Sequence, residues 1–251
     1  ALSAFQDVSA EASDVIVEGA TPFVDQSLAE ALDAKVVLMA RYTPDLRPDE
    51  IVGAAASVGQ RLLGVVINGV PRYRSNQVRK SVVEPLSDQM VPVIGVLPEE
   101  RCLMGITVNQ IARHLGGEFL LWEEKGDQLV DHIMIGGLVL DWGVPYFSQN
   151  DRKAVVVRGD RPDIQMAALQ TPTRCLVLTG GHHPIQYIEH EAREEEVPVI
   201  LVSSDTLTTV KSLETAFDET TVHHPGKAEC FSGLVENAVD MAVLSSALSG
   251  H

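Results

Sequence analysis

Apolar runs of strand length alternate along the first half of the chain with stretches of helical period. "DVIVEGA", "AKVVLMARY", "LLGVVINGV" and "VPVIGVLPE" are the strand-like runs, and "QSLAEAL", "PDEIVGAAASVGQRL" and "SNQVRKSVVEPLSDQM" lie between them. The strand-like runs lack polar alternation, which is the pattern of strands buried on both faces of a parallel sheet. After "NQIARHLGGEFLLWEEKGDQLV" the rhythm restarts with "DHIMIGGL", "KAVVVRGD", "RCLVLTGG" and "VPVILVSS". Helices are predicted around Trp142–Gln149, Asp163–Gln170, Pro184–Glu196 and Thr206–Phe217. The pattern predicts an α/β protein of two consecutive open, mostly parallel sheets with helices on both faces. The polar "WEEKGDQ" reads as the linker. Pro225–Leu248, with Phe231, Leu234, Val235, Ala238, Val239, Ala242 and Val243 in helical period, reads as one closing amphipathic helix. The expected divisions are 1–122, 123–222 and a helical segment, 223–251.

Composition narrows the function classes. At 251 residues and 45% hydrophobic, the chain is long enough for two ordinary cores. Its 35 acidic against 19 basic residues give a formal charge of −16, a field that repels nucleic acid and anionic membranes. Cys102, Cys175 and Cys230 lie far apart and form no CxxC pair, so they are expected to be reduced thiols of a cytoplasmic protein. No apolar run approaches the ~18 to 20 residues of a membrane helix. The start at Ala1 resembles neither a signal nor a transit peptide, and it agrees equally with a trimmed N-terminus and with simple methionine removal.

In an open parallel sheet, ligands sit beyond the carboxyl ends of the strands. The first run closes on Glu18 and Gly19, a carboxylate suited to Mg²⁺ and a glycine that lets backbone approach a phosphate. The third closes on Asn68 and Gly69, and the fourth on Leu97, Pro98 and Glu99, where a proline turn would wall a base pocket. On residue type alone, each is more often a cap or turn residue than a ligand. In order, "VIVEGA", "KVVLMARY", "GVVINGVP" and "VPVIGVLPEE" resemble the later strands of the dethiobiotin synthetase-like branch of P-loop nucleotide-binding proteins, over about residues 11 to 121. The resemblance implies that Glu18 is a Mg²⁺ ligand, that Asn68 touches adenine, and that Leu97, Pro98 and Glu99 enclose the base. The family's GxxxxGK(S/T) loop occurs nowhere in this chain. Mg-ATP is therefore implied only for a longer form; this chain is expected to carry no cofactor and to bind Mg-ATP no more tightly than about millimolar. "DVIVEGA" is expected at a sheet edge, or paired by another chain or an upstream peptide.

"VVVRGDRPDIQMAALQTPTRCLVLTGG" is the most specific stretch. One strand ends in Gly159, Asp160 and Arg161, with Pro162 and Asp163 opening a helix; the next ends in Thr179, Gly180 and Gly181 before another helix. Two readings stand. Backbone, helix N-termini and one arginine suit an anion, together with Thr208 and Thr209 after the following strand; alternatively, Asp160 and Asp163 cap the helix and pair with Arg161. The segment from about 128 to 217 is similar to the DRTGG domain, whose naming motif reads "GDRPD" here, supported by "LTGG" and "SSDTLTTV". Such domains follow a dethiobiotin synthetase-like domain in long phosphate acetyltransferases and in phosphotransacetylase-family proteins. The resemblance implies ligand sensing, regulation and a homodimer formed through this domain. The Arg158-Gly159-Asp160 tripeptide, the histidines 182, 183, 190, 223 and 224, and the hydroxyls of Ser203 and Ser204 carry weaker readings as adhesion, metal and nucleophile sites. The expected function is regulatory sensing of a nucleotide or a small phosphorylated or acyl-phosphate ligand. The alternative is an ATP-dependent ligase resembling dethiobiotin or cobyrinate diamide synthases once an N-terminus is restored. Acetyl transfer ranks below both, because the chain leaves no room for an acetyltransferase domain.

Overall fold

Val65, Val66 and Ile67 form an unbroken apolar run, and the chain buries all three by placing their strand in the middle of a sheet. The computed structural model describes residues 14–19, 26–137 and 143–248. The chain forms two units, one from Ala1–Glu100 with Phe231–His251 and the other from Arg101–Cys230. In the first, α1 (Gln26–Ala31) leads to β1 (Val36–Arg41), α2 (Pro48–Val58) and β2 (Leu62–Val70). A helical stretch follows, made of α3 (Ser75–Val78), a π segment (Arg79–Val83) and α4 (Glu84–Asp88), and then β3 (Val93–Pro98). The π segment ends at Val83, two residues before Pro85, whose ring excludes a regular α turn behind it.

The three strands pair in parallel in the order β1-β2-β3. Alternation along β2 separates two cores. Val65 and Ile67 pack with Ile51, Ala55, Val78, Val82 and Leu86 from the helices, whereas Val66, Ile94 and Leu97 meet Leu234, Val235, Ala238 and Val239 from the C-terminal tail. "DVIVEGA" is a correction: residues 14–19 form no strand, and Ile16 is 95% exposed. A strand exists only through a ladder with a neighbouring strand, and among the described residues no strand pairs with this stretch, however apolar it is. Ser13 and Ala20, at its ends, lie outside the described residues.

The second unit contains α5 (Arg101–Met104), β4 (Ile106–Thr107), α6 (Val108–Leu115), β5 (Glu118–Leu121), β6 (Leu129–Val130) and β7 (His132–Ile135). These are followed by α7 (Gly143–Phe147), β8 (Lys153–Arg158), α8 (Pro162–Leu169), β9 (Thr173–Thr179), α9 (Gln186–Glu194), β10 (Val199–Leu201) and α10 (Thr206–Ala216). Trp142, expected to open the α7 helix, lies outside the described residues. The sheet order is β5-β10-β9-β8-β7, parallel except for β5 at one edge; β4 and β6 form a separate antiparallel pair. Val155, Val157, Leu176 and Leu178 join one core with residues of α7, α8 and α9. Ala154, Val156, Cys175 and Val177 join another with residues of α6 and α10. "WEEKGDQ" is not a linker. The Trp122 indole donates to the Ala192 carbonyl (3.1 Å), Lys125 sits over the Trp122 ring and pairs with Glu196, and the Asn109 amide donates to the Gly126 carbonyl (2.8 Å). The division falls between Glu100 and Arg101, where the sequence pattern places it after 122.

The tail is two helices, α11 (Pro225–Ala238) and α12 (Met241–Leu248), because Asp240 interrupts it. The Asp240 amide donates to the Ile94 carbonyl (2.7 Å), and its carboxylate accepts from the Ala242 amide (3.1 Å) as a cap for α12. Among the described residues, no helix is long and apolar enough to cross a membrane.

The cysteines also differ from expectation. Cys102 in α5 and Cys230 in α11 form a disulfide across 128 residues, with their Cα atoms 6.7 Å apart, a proximity that spacing in sequence does not reveal. Cys175 is a thiol inside β9, and burial pushes its pKa up. The bond closes a long loop, so it constrains the unfolded chain strongly. Cys102→Ser is expected to lower unfolding stability by about 2 to 4 kcal/mol, measured by urea titration under non-reducing conditions. Adding reductant should bring the wild type to the same midpoint.

Lys153 is fully buried at the start of β8, where its amine donates to the carbonyls of Asn150 (3.0 Å) and Pro172 (2.5 Å). Burial lowers its pKa to about 8. Below that value the folded state holds a buried ammonium; above it the folded lysine is neutral while the unfolded one stays protonated to about 10.4. Stability should therefore rise from about pH 8 to about pH 10.4. Lys153→Met should lack that rise in parallel urea titrations.

Candidate functional site

The parallel strands β8, β9 and β10 close on Arg158, Thr179 and Leu201, and the connections beyond them are joined by backbone hydrogen bonds. The Gly159 amide donates to the Thr179 carbonyl (3.0 Å), Gly180 to Ser204 (2.8 Å) and Gly181 to Val202 (3.0 Å). Gly180 adopts φ +83°, a left-handed conformation that glycine takes without a Cβ penalty. Gly159 is buried, with the His182 carbonyl standing where a Cβ would be. On the third connection Asp205 caps α10, its carboxylate accepting from the Thr208 amide and the Thr208 hydroxyl, both at 2.9 Å. The result is a cleft of about 350 Å³ lined by Arg158, Thr179, Gly180, His182, Asp205, Thr206 and Leu207.

Two arginine–aspartate pairs shape its electrostatics. Arg158 forks onto Asp160, and Arg161 onto Asp163 at 2.9 and 2.7 Å. Each arginine holds its aspartate's carboxyl below the usual range by hydrogen bonding. The Thr208 amide does the same for Asp205. The hydroxyls bond to one another, Thr179 to Thr206 (2.7 Å) and Ser204 to Thr209 (2.8 Å). None of these hydroxyl pairs includes a histidine. The cleft wall therefore offers hydroxyls, backbone groups and one guanidinium for hydrogen bonding.

Of the residues expected here, Thr179 and Gly180 line the cleft. Gly159, Asp160, Arg161, Asp163, Gly181, Thr208 and Thr209 are adjacent but not in its lining. The turn after β8, closed by the Arg161 amide on the Arg158 carbonyl (3.1 Å), brings Arg158 to the cleft and leaves Arg161 with Asp163. Thr209 is buried, and its hydroxyl donates to the Asp205 carbonyl (2.8 Å). Sequence reasoning missed Arg158, His182, Asp205, Thr206 and Leu207. The Ser-Ser-Asp-Thr run before a helical pattern carried the usable signal, since it marks Asp205 as a cap at a strand end.

In the first unit, the ends of β2 and β3 share an edge. Val70 is in register with Pro98, the Glu99 amide donates to the Val70 carbonyl (2.8 Å), and Asn68 is opposite Arg41. Leu97 is buried against Val66 and Ile94. Glu18 and Gly19 are exposed and off the sheet. Among the described residues, no group of three or more His, Cys, Asp or Glu is placed to hold a metal, including the histidine pairs.

The family match falls within the second unit. Residues 110–216 match the DRTGG domain family. The phosphate acetyltransferase of Nitratidesulfovibrio vulgaris is 28% identical over 166 residues, 62% of this chain and 23% of the relative, so the match spans under a quarter of that protein. A crystal structure of the CBS and DRTGG domains of the regulatory region of Clostridium perfringens pyrophosphatase, complexed with the activator diadenosine tetraphosphate, is similar at 18% identity and TM-score 0.39, covering 55% of this chain and 71% of that one. The protein is a mixed α/β chain whose residues 110–216 are similar to the DRTGG domain.

Proposed function

We propose that the second unit is a regulatory, ligand-sensing module that binds a nucleotide or a small phosphorylated or acyl-phosphate ligand in the cleft between Arg158, Thr179 and Thr206, without catalysing a reaction on it. The carrying observation is the placement of that cleft at the carboxyl edge of a parallel sheet, with a guanidinium on its wall and hydroxyls bonded to one another rather than to a base. Its volume of about 350 Å³ suits a small ligand. The DRTGG match covers β8, β9 and β10, which build the cleft. The similarity to a phosphate acetyltransferase supports a setting in acyl-phosphate metabolism. Because the shared stretch is under a quarter of that relative, the reading assigns it sensing rather than acetyl transfer. It further includes pairing of two copies through this unit, with ligand strengthening the dimer by linkage.

Thermal shift of the full chain against AMP, ADP, ATP and acetyl phosphate tests the reading. A ligand at about 100 times its Kd is expected to stabilise the protein by about 2.7 kcal/mol. Arg158→Ala should abolish the shift, while Arg161→Ala should retain most of it, since Arg161 is outside the cleft lining. Sedimentation should show more dimer with ligand present. An unresponsive wild type, or an Arg158→Ala variant that responds like it, overturns the assignment.

A further inference from the structure

A second cavity, of about 390 Å³, lies between the β4/β6 pair and the start of α11, all within the second unit. Its distinguishing group is Lys227, only 3% exposed. Burying an ammonium is unfavourable without compensation, and burial lowers the pKa of this one. Its amine donates to the Thr220 hydroxyl (2.5 Å) and the Thr221 carbonyl (2.7 Å), both uncharged. An ammonium has three donors, so two bonds leave one. Among the described residues no carboxylate forms an ion pair with Lys227, although the chain carries an excess of 16 negative charges. Lys153, the other buried lysine, borders neither cavity. Lys227 lines this one.

The other polar groups around the cavity divide into those already committed and those still able to bind. His224 is committed. The Gly226 amide donates to its Nδ1 (3.1 Å), so Nε2 carries the proton and donates to the Asp127 carbonyl (2.9 Å). Thr107 and Gln110 form the capping box of α6, in which the threonine hydroxyl oxygen and the glutamine Oε1 are acceptors (3.1 and 2.8 Å). That leaves the Thr107 hydroxyl proton and the Gln110 amide N–H groups as donors on the wall. Leu129 and Pro225 supply apolar surface.

From these groups we propose that the cavity binds a small, singly charged carboxylate, with Lys227 as its counter-cation and Thr107 and Gln110 as donors to its second oxygen. The charge balance selects the class. The lining holds one lysine, no arginine, the carboxylate of Asp127 and the imidazoles of His223 and the committed His224. A phosphate monoester, doubly charged near neutral pH, meets one ammonium there and a carboxylate that repels both of its charges; a monocarboxylate meets that repulsion with half the charge, and the one ammonium suffices to pair it. This site differs in residues and in preferred charge from the Arg158 cleft.

The test is calorimetry on the full chain with sodium acetate, sodium pyruvate and inorganic phosphate at matched ionic strength. One or both carboxylates should bind more tightly than phosphate. Lys227→Met should weaken that binding by at least about tenfold, as expected for losing one charge-assisted hydrogen bond, while Arg158→Ala should leave it unchanged. Methionine fills the lysine's space without its charge. Should that variant fail to fold by circular dichroism, Gln110→Ala takes its place and should weaken binding several-fold. The proposal is overturned by no carboxylate binding in the wild type, by phosphate binding as tightly, by a folded Lys227→Met or Gln110→Ala variant of wild-type affinity, or by loss of binding in Arg158→Ala.

Discussion

Each strand of a parallel ladder projects side chains to both faces, so the β8–β9 pairing holds only while helices cover the sheet above and below. The residues meet this requirement by strict alternation. Val155, Val157, Leu176 and Leu178 serve one core and Ala154, Val156, Cys175 and Val177 the other. Right-handed crossovers then return every helix from a carboxyl end, so the connections after β8, β9 and β10 gather at one edge. The cleft results from that gathering. Its backbone is fixed by the same rule that buries the core, and its side chains are what the connections happen to carry.

The first unit meets the same demand differently. Its three strands are covered on one face by helices of the preceding chain and on the other by Leu234, Val235, Ala238 and Val239, which return from beyond the second unit. In sequence, the second unit is thus an insertion into the first. The apolar period of the tail is plain in its residues, but its partner is not, because amphipathicity says that a face is buried and not where.

What could be read from the sequence follows the range of the interactions. Doubly buried strands such as "KAVVVR" and "RCLVLT" declare themselves locally and appear as β8 and β9. The short strands β4, β5 and β6 depend on pairing partners elsewhere and left no local mark. "DVIVEGA" shows the converse, since a strand-like composition without a pairing strand remains irregular. At the cleft, topology located the edge, but the choice between Arg158 and Arg161 rested on one turn and on which aspartate each guanidinium reaches. Lys227 went unnoticed for a related reason: a single lysine in a helical pattern reads as solvated until packing shows it buried.

The bond between Cys102 and Cys230 joins the two positions at which the chain enters and leaves the second unit. Covalently, that unit is a closed ring hanging from a single junction. Tension applied to the first unit's two chain segments runs through the sulfur atoms and bypasses the five-stranded sheet, so load on those segments cannot unravel the second unit while the bond is intact. A cut in any loop of the ring likewise leaves both fragments attached, and the protein keeps its length until the bond is reduced.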